Sequence, residues 1–267
     1  MYRIIFSDID GTLLHDDLSI GEKTKTALKR AEEKGLVIAI ASGRYLLSLD
    51  MLEKMIGIPL MKIGINGAVI EYGGKRIYEE RIDRDAYITA TSYLYRKASS
   101  LITFSSRSYA IDANEEWRTK QTSILKDAGV HMDIRDYDGV EASLGEKPFK
   151  ILVKDRDQEK LDRMEKELSE ILGSTASVSS SGRGNIEVMP PGITKADGLK
   201  KAGELLNISQ DEMIAFGDWD NDADMLAWAG MGIAMANASE KARKNARMIT
   251  LSNNEDGIAA ALEKLGI

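Results

Sequence analysis

Two aspartates, one residue apart, close the apolar run in "YRIIFSDIDGTLL" (2–14). Side chains alternate along an extended chain, so Asp8 and Asp10 point the same way, with Ile9 turned from them. Two more apolar runs end on polar groups. "AIASGR" (39–44) delivers Ser42, and "AFGDWDND" (215–222) delivers Asp218, Asp220, Asn221 and Asp222. Carboxylates gathered at one sheet edge repel one another and call for a cation; an all-oxygen cluster suits magnesium. Lys195 in "GITKADG" (192–198) is a point charge suited to a phosphoryl group, and Thr12 and Ser42 add hydroxyls. Backbone N–H groups after Asp8 can form an anion-binding turn, with Gly11 permitting its tight geometry. A carboxylate nucleophile, a magnesium ion, a lysine and hydroxyl donors are the parts of phosphoryl transfer through an aspartyl-phosphate.

The elements that must carry these residues are legible at both ends of the chain. Residues 2–7 read as a strand. A helix follows over 19–35, with Ser19 as N-cap, Glu22 completing a capping box and Gly35 as a stop. "LVIAIAS" (36–42) is a continuous apolar strand of the kind buried on both faces of a parallel sheet. A helix over 44–57, a strand over 61–67 and a hairpin around Gly73-Gly74 (68–80) come next. The tail repeats the rhythm: strand 212–218, helix 221–230, strand 231–237, helix 239–246, short strand 247–250 and helix 256–266. Such alternation predicts an α/β fold, a doubly wound parallel sheet in a Rossmann-like core. In open sheets of this kind, ligands bind beyond the carboxyl ends of the strands, where the polar groups lie.

From 83 to 187 the apolar runs are shorter and more polar, and "SVSSSGRGN" (177–185) reads as a turn. The expected organisation is a core of 1–82 and 188–267 interrupted by an α+β insertion over 83–187. The chain would leave the core near Arg81 and return near Glu187. Two hinges are expected, near 81–84 and 186–190, the second stiffened by Pro190 and Pro191.

The composition narrows the function classes. The 267 residues carry a net charge of −7, which argues against nucleic acid as partner. There is no cysteine and there are two histidines, which excludes disulfides, thiolate metal sites and polyhistidine zinc sites. No signal peptide and no membrane-length apolar run is visible, so a cytoplasmic location is expected. Oligomeric state is left open.

Taken in order, "DIDGT" (8–12), "SGR" (42–44), "NGA" (66–68), "GITKADG" (192–198) and "GDWDND" (217–222) resemble the haloacid dehalogenase superfamily, and within it the Cof-type phosphatases. The gap between "NGA" and Lys195 is similar to the larger C2B cap, and "NNEDGIAAAL" (253–262) also resembles this subgroup. The resemblance implies a magnesium-dependent phosphatase acting on a small phosphorylated metabolite, such as a sugar phosphate. Asp8 would be nucleophile and metal ligand. Asp10 would be general acid/base, its backbone carbonyl also ligating magnesium, and Asp218 the third protein ligand. Thr12, Ser42, Gly43, Lys195 and Asn221 would hold the phosphoryl oxygens, with Asp222 orienting Lys195 or a metal-bound water. Asn66 and Arg44 would lie near the substrate.

Plainer roles remain for several residues. Ser42 also suits a helix cap, Asp220 a supporting contact, Trp219 packing near the site mouth, and His15 the surface. His131 is expected to be structural, and Arg107, Lys147, Lys150 and Arg183 mostly solvated. Two alternatives share the aspartyl chemistry: a phosphomutase, and a phospho-signalling receiver module. The long insertion favours the phosphatase over both.

Overall fold

The computed structural model describes residues 1–125, 129–180 and 182–267. The chain divides into two compact units, Met1–Glu79 with Thr194–Ile267, and Glu80–Ile193.

The first unit opens with β1 (Ile4–Ser7), α1 (Glu22–Glu33), β2 (Val37–Ala41), α2 (Leu46–Ile56), β3 (Met61–Gly64), β4 (Val69–Tyr72) and β5 (Lys75–Glu79). The second unit contains α3 (Arg84–Leu94), β6 (Ser100–Phe104), β7 (Tyr109–Ala113), α4 (Glu115–Leu125), β8 (Val130–His131), α5 (Tyr137–Leu144), β9 (Lys150–Lys154), α6 (Gln158–Leu172), β10 (Ser177–Ser179) and β11 (Asn185–Met189). The first unit resumes with α7 (Lys195–Leu206), β12 (Met213–Gly217), α8 (Ala223–Trp228), β13 (Met231–Ala234), α9 (Glu240–Asn245), β14 (Met248–Ile249) and α10 (Gly257–Lys264).

The first unit is the expected doubly wound sheet, ordered β14-β13-β12-β1-β2-β3-β4-β5, parallel except for the β3–β4–β5 meander. Helices α1, α2 and α10 pack together on one face, and α7, α8 and α9 on the other. Ile4, Ile5 and Phe6 are fully buried, as a central strand covered on both faces requires. Ile4 and Phe6 share a core with Leu199, Met225 and Leu226, and alternation sends Ile5 to the opposite face.

The capping box expected at Ser19 does not form. Helix α1 starts at Glu22 with Gly21 in the cap position and no cap from its own side chain. Ser19 is drawn into the preceding turn, where its N–H donates to Asp17 Oδ1 at 2.9 Å. The cap comes from the far end of the chain: Asp256 Oδ1 accepts from Thr24 N at 3.1 Å and Thr24 Oγ1 at 2.7 Å. A long-range partner satisfies the orphan N–H, so no local pattern encodes it.

The second unit is a six-stranded sheet, ordered β10-β11-β9-β6-β7-β8, antiparallel except for β7–β8. Helices α3, α5 and α6 contribute Tyr87, Leu94, Val140, Leu161 and Leu168 to a core shared with Ile151, Val153, Ile186 and Val188. The expected return point at Glu187 therefore lies inside β11, which pairs with β9 and β10. Ile186 and Val188 are buried in this core, so 186–189 is a paired strand and not a hinge. At the other crossing Ile82 is buried in the same core, and α3 begins at Arg84. The turn read over 177–185 is shorter than expected, because Ser177–Ser179 form β10; Ser181 lies outside the described residues. Among the described residues, no helix is long and apolar enough to cross a membrane.

Candidate active site

Successive connections carry the chain from β1 to β2 and β3 on one side, and from β12 to β13 and β14 on the other. The order therefore switches between β1 and β12, the point at which an open sheet leaves a crevice at its carboxyl edge. Ser7 pairs with Phe216, and Asp8 N donates to Phe216 O at 3.0 Å. Asp8 and Asp218, each just past its strand, are thereby neighbours although 210 residues apart in the chain (218 − 8).

Lys195 is the first residue of α7, and its approach depends on two glycines. Gly67 has φ +106 and a Cβ there would meet Thr194 O; a Cβ on Gly198 would stand 3.0 Å from Gly67 Cα. Only their absence of side chains lets the first turn of α7 lie against the turn after β3. Lys195 Nζ then donates to Asp8 Oδ1 and to Asp222 Oδ1, each at 2.6 Å, with 4% of the lysine exposed. The other oxygen of Asp222 accepts from Asp218 N and Trp219 N, both at 3.0 Å. Asp222 thus orients the lysine with one oxygen and the Asp218 loop with the other.

Asp8, Asp218 and Asp222 each offer a carboxylate oxygen within 4.8 Å of the others, and all three are buried. Burial pushes the Asp8 carboxyl up to about 7 against the pull of Lys195, with Asp222 and Asp218 adding to the rise. Burial likewise pushes Asp218 up to about 6, opposed by its bond from Thr12. Burial opposes the charge on Lys195, but Asp8 and Asp222 outweigh it and raise its pKa. One ammonium faces three buried carboxylates, so the pocket is short of positive charge. Hard oxygen donors in that condition could hold a magnesium ion; both oxygens of Asp222 are engaged by Lys195 and the Asp218 loop, whereas among the described residues Asp8 and Asp218 each have one oxygen in a hydrogen bond, from Lys195 and from Thr12.

The remaining predicted residues lie around this cluster. Thr12 is buried, and its hydroxyl donates to Asp218 Oδ1 at 2.7 Å. Gly11 sits at φ +82, where a Cβ would run into the Asp218 carboxylate. Asp10 is exposed and its carboxylate is held by Arg44, through Nε at 3.0 Å and through Nη2. Ser42 is buried just past β2, and its hydroxyl accepts from Arg44 N at 3.2 Å. The helix cap expected as its plainer role does not form, because α2 begins only at Leu46, with Tyr45 in the cap position and no side-chain cap. Gly43 is half-buried beside it. Asn66 takes a left-handed conformation (φ 55, ψ 24), and its N–H donates to Ser42 O at 2.9 Å. Asn221 is exposed on the short helical turn Asp220–Asp222, and among the described residues no hydrogen bond ties it to the cluster.

Several plainer expectations need correction. Lys150 is not solvated: it is buried with Glu187, Nζ to Oε1 at 3.2 Å, because alternation puts it on the face of β9 opposite Ile151 and Val153. Arg107, Lys147 and Arg183 are exposed as expected. Trp219 is 55% exposed instead of packed. His15 is half-buried, with Nε2 3.9 Å from Asp256 Oδ1, and His131 is exposed on the two-residue strand β8. Asp220 accepts from Ser239 Oγ at 2.6 Å, a supporting contact. Asn237, and Asn253 at the head of "NNEDGIAAAL", carry no role assigned from the sequence, yet both reach the backbone of the turn after Asp8: Asn237 bonds Gly11 O and Asn253 bonds Leu14 O. The signal was present in "AMANASE" (234–240), a polar residue following a fourth strand at the same edge.

Residues 5–262 match the model of the haloacid dehalogenase-like hydrolase family. The chain belongs to this family. It is 29% identical over 263 residues to the 5-amino-6-(5-phospho-D-ribitylamino)uracil phosphatase YcsE of Bacillus subtilis, covering 97% of this chain and 94% of the relative. It is 29% identical over 243 residues to the HMP-PP phosphatase of Cronobacter sakazakii, covering 89% and 85%. A crystal structure of a haloacid dehalogenase-like hydrolase from Bacteroides thetaiotaomicron superposes with a TM-score of 0.87 at 27% identity, covering 99% of this chain and 100% of that one. This haloacid dehalogenase-like chain is an enzyme, a phosphatase.

Proposed function

We propose that the enzyme hydrolyses a small phosphorylated metabolite, with magnesium, through an aspartyl-phosphate on Asp8. The observation that carries this reading is the Lys195 bridge, 2.6 Å to both Asp8 and Asp222. It binds one oxygen of Asp8 and, among the described residues, leaves the other without a hydrogen bond and available to attack phosphorus. The relatives' names, both phosphatases of small phosphorylated molecules, support the substrate class.

In this reading Asp8 and Asp218 supply carboxylate oxygens to magnesium, and Asp10 its backbone carbonyl. The ion offsets the charge of the phosphoryl group and its surroundings. Asp8 attacks phosphorus, and the bond to the leaving oxygen breaks. Asp10 gives that oxygen its proton, then takes one from the water that attacks the phosphorus of the aspartyl-phosphate, restoring Asp8 and releasing inorganic phosphate. Lys195, still held by Asp222, balances charge on the transferring group throughout. Ser42, Gly43, Thr12 and Asn221 are assigned to the phosphoryl oxygens, and Asn66 and Arg44 to the neighbourhood of the leaving group. The second unit, Glu80–Ile193, is assigned the choice among metabolites. The receiver alternative is set aside, because membership of a hydrolase family argues against a module that stores its phosphoryl group.

The test is phosphate release from a panel of phosphorylated metabolites, with magnesium and with excess chelator. Release that depends on magnesium and falls to background in chelator is expected. Equal release in both conditions, or none from any compound, overturns the reading.

A further inference from the structure

The turn that carries Asp10 is held from outside by two asparagines. Within the turn, the N–H groups of Thr12, Leu13 and Leu14 all converge on Ile9 O, at 3.3, 3.0 and 2.9 Å. The Gly11 carbonyl points the other way and accepts from Asn237 Nδ2 at 2.8 Å. Gly11 O and Thr12 N–H belong to one planar peptide, so the asparagine and Ile9 hold that plane from its two sides.

Asn237 has no choice of direction. Its Oδ1 accepts from Asn253 N at 3.1 Å, which obliges its NH₂ to face Gly11. Asn253 is buried, and its own Nδ2 donates to Leu14 O at 2.9 Å and to Asp16 Oδ1 at 3.1 Å. The pair therefore clasps the turn at both ends, Gly11 and Leu14. The segment bearing Asn237 is itself anchored to the metal side of the site: Met235 N donates to Gly217 O at 3.1 Å and Ser239 N to Asp218 O at 2.8 Å. The clasp thus fixes the Asp10 turn relative to Asp218. It acts at a residue that needs fixing, since Gly11, with φ +82 and no side chain, is the most freely rotating link between Asp10 and Thr12.

We infer that Asn237, locked by Asn253, is a positioning residue that sets the Gly11–Thr12 peptide and through it the placement of the Asp10 carboxylate. The inference rests on the reading above, in which Asp10 protonates the leaving oxygen. Asn237 touches no reacting atom. Its effect should therefore appear in the step that needs Asp10 and spare steps that do not.

Leaving-group dependence separates the two. p-Nitrophenyl phosphate expels an acidic phenol that needs little protonation, whereas phenyl phosphate expels a basic one. The value of kcat/KM covers only the steps through the first transfer, so the ratio of p-nitrophenyl to phenyl phosphate measures help from the acid. The ratio is also independent of the fraction of correctly folded enzyme. In N237D, which keeps the acceptor for Asn253 and turns an oxygen toward Gly11 O, the ratio should rise roughly fivefold, the weight of about one neutral hydrogen bond. N237A should raise it in the same direction, and D10N should raise it further. An unchanged ratio in both Asn237 variants, whatever their absolute rates, overturns the inference. No wild-type turnover of either phosphate overturns the phosphatase reading instead.

Discussion

Without magnesium, the enzyme should become less stable as pH rises from about 4 to about 7, the reverse of ordinary acid denaturation. Asp8 is pushed up to about 7 and Asp218 to about 6 from an ordinary 3.8, burial being the first cause of each. The folded state then keeps protons in a window where the unfolded state has released them. Stability changes with pH as the protons bound in the unfolded state minus those bound in the folded state, which is negative here. The gain is complete below about pH 4 and is lost as pH approaches 7. The two carboxylates share one pocket and are treated as holding about one proton between them. A rise of about three pH units for that proton corresponds to ~4 kcal/mol at ~1.4 kcal/mol per unit. For a unit of this size, that is a drop of roughly 8–15 °C in the melting midpoint. Magnesium must displace the proton, so its affinity should rise by up to about tenfold per pH unit across the same window. The assay is a thermal melt in chelator and in excess magnesium at half-unit pH steps. A midpoint in chelator that stays flat or rises between pH 4.5 and 7 would refute the shared-proton argument, and a magnesium affinity independent of pH would refute it separately.

Lys195→Ala should raise KM and lower kcat together, because the ammonium offsets phosphoryl charge in every state; Lys195→Arg should recover little, since a planar guanidinium does not fit between two carboxylates each 2.6 Å from Nζ. Wild-type kinetics in the alanine variant would place the bridge outside the reaction. Gly11→Ala combines a left-handed conformation with a Cβ directed at Asp218, so magnesium affinity and kcat should both fall roughly 5- to 150-fold, a cost of about 1–3 kcal/mol; isothermal titration with magnesium checks the first and steady-state assay the second. Arg44→Ala frees the Asp10 carboxylate from both its bonds. It should raise KM for metabolites more than it lowers kcat, and an unchanged KM would remove Arg44 from the neighbourhood of the substrate.

What the sequence disclosed divides along the range of the interactions. The centre of the core sheet was readable because its strands carry apolar runs, as in "IIF" and "LVIAIA", and because motif residues follow those runs at one edge. Asp8, Asp218, Asp222 and Lys195 come together as their types required, since three buried carboxylates demand compensating charge. What escaped was set by partners far along the chain. Asp256 caps α1 from 232 residues past Thr24, so Ser19 looked like the cap only while local sequence was considered. Lys150 looked solvated because its burial depends on Glu187, 37 residues on, in a strand not recognised as part of the same sheet. The partnership of Asp10 with Arg44 and the clasp of Asn237 and Asn253 were equally hidden, because a side chain's hydrogen-bond partner depends on register and rotamer, which periodicity does not encode.

The central claim is that a phosphoryl group passes through Asp8. The most direct measurement is acid quenching of D10N during turnover of p-nitrophenyl phosphate with magnesium, followed by mass spectrometry of the tryptic peptide Ile4–Lys23. In this variant, release of the acidic phenol proceeds while loss of the aspartyl-phosphate is slowed, by roughly 10²–10⁴-fold if Asp10 supplies general base help. The account predicts one phosphoryl group on that peptide, at Asp8, present only with magnesium and absent when D8N is treated in the same way. Burst release of nitrophenol with no phosphorylation at Asp8, or with the label at another residue, would contradict it.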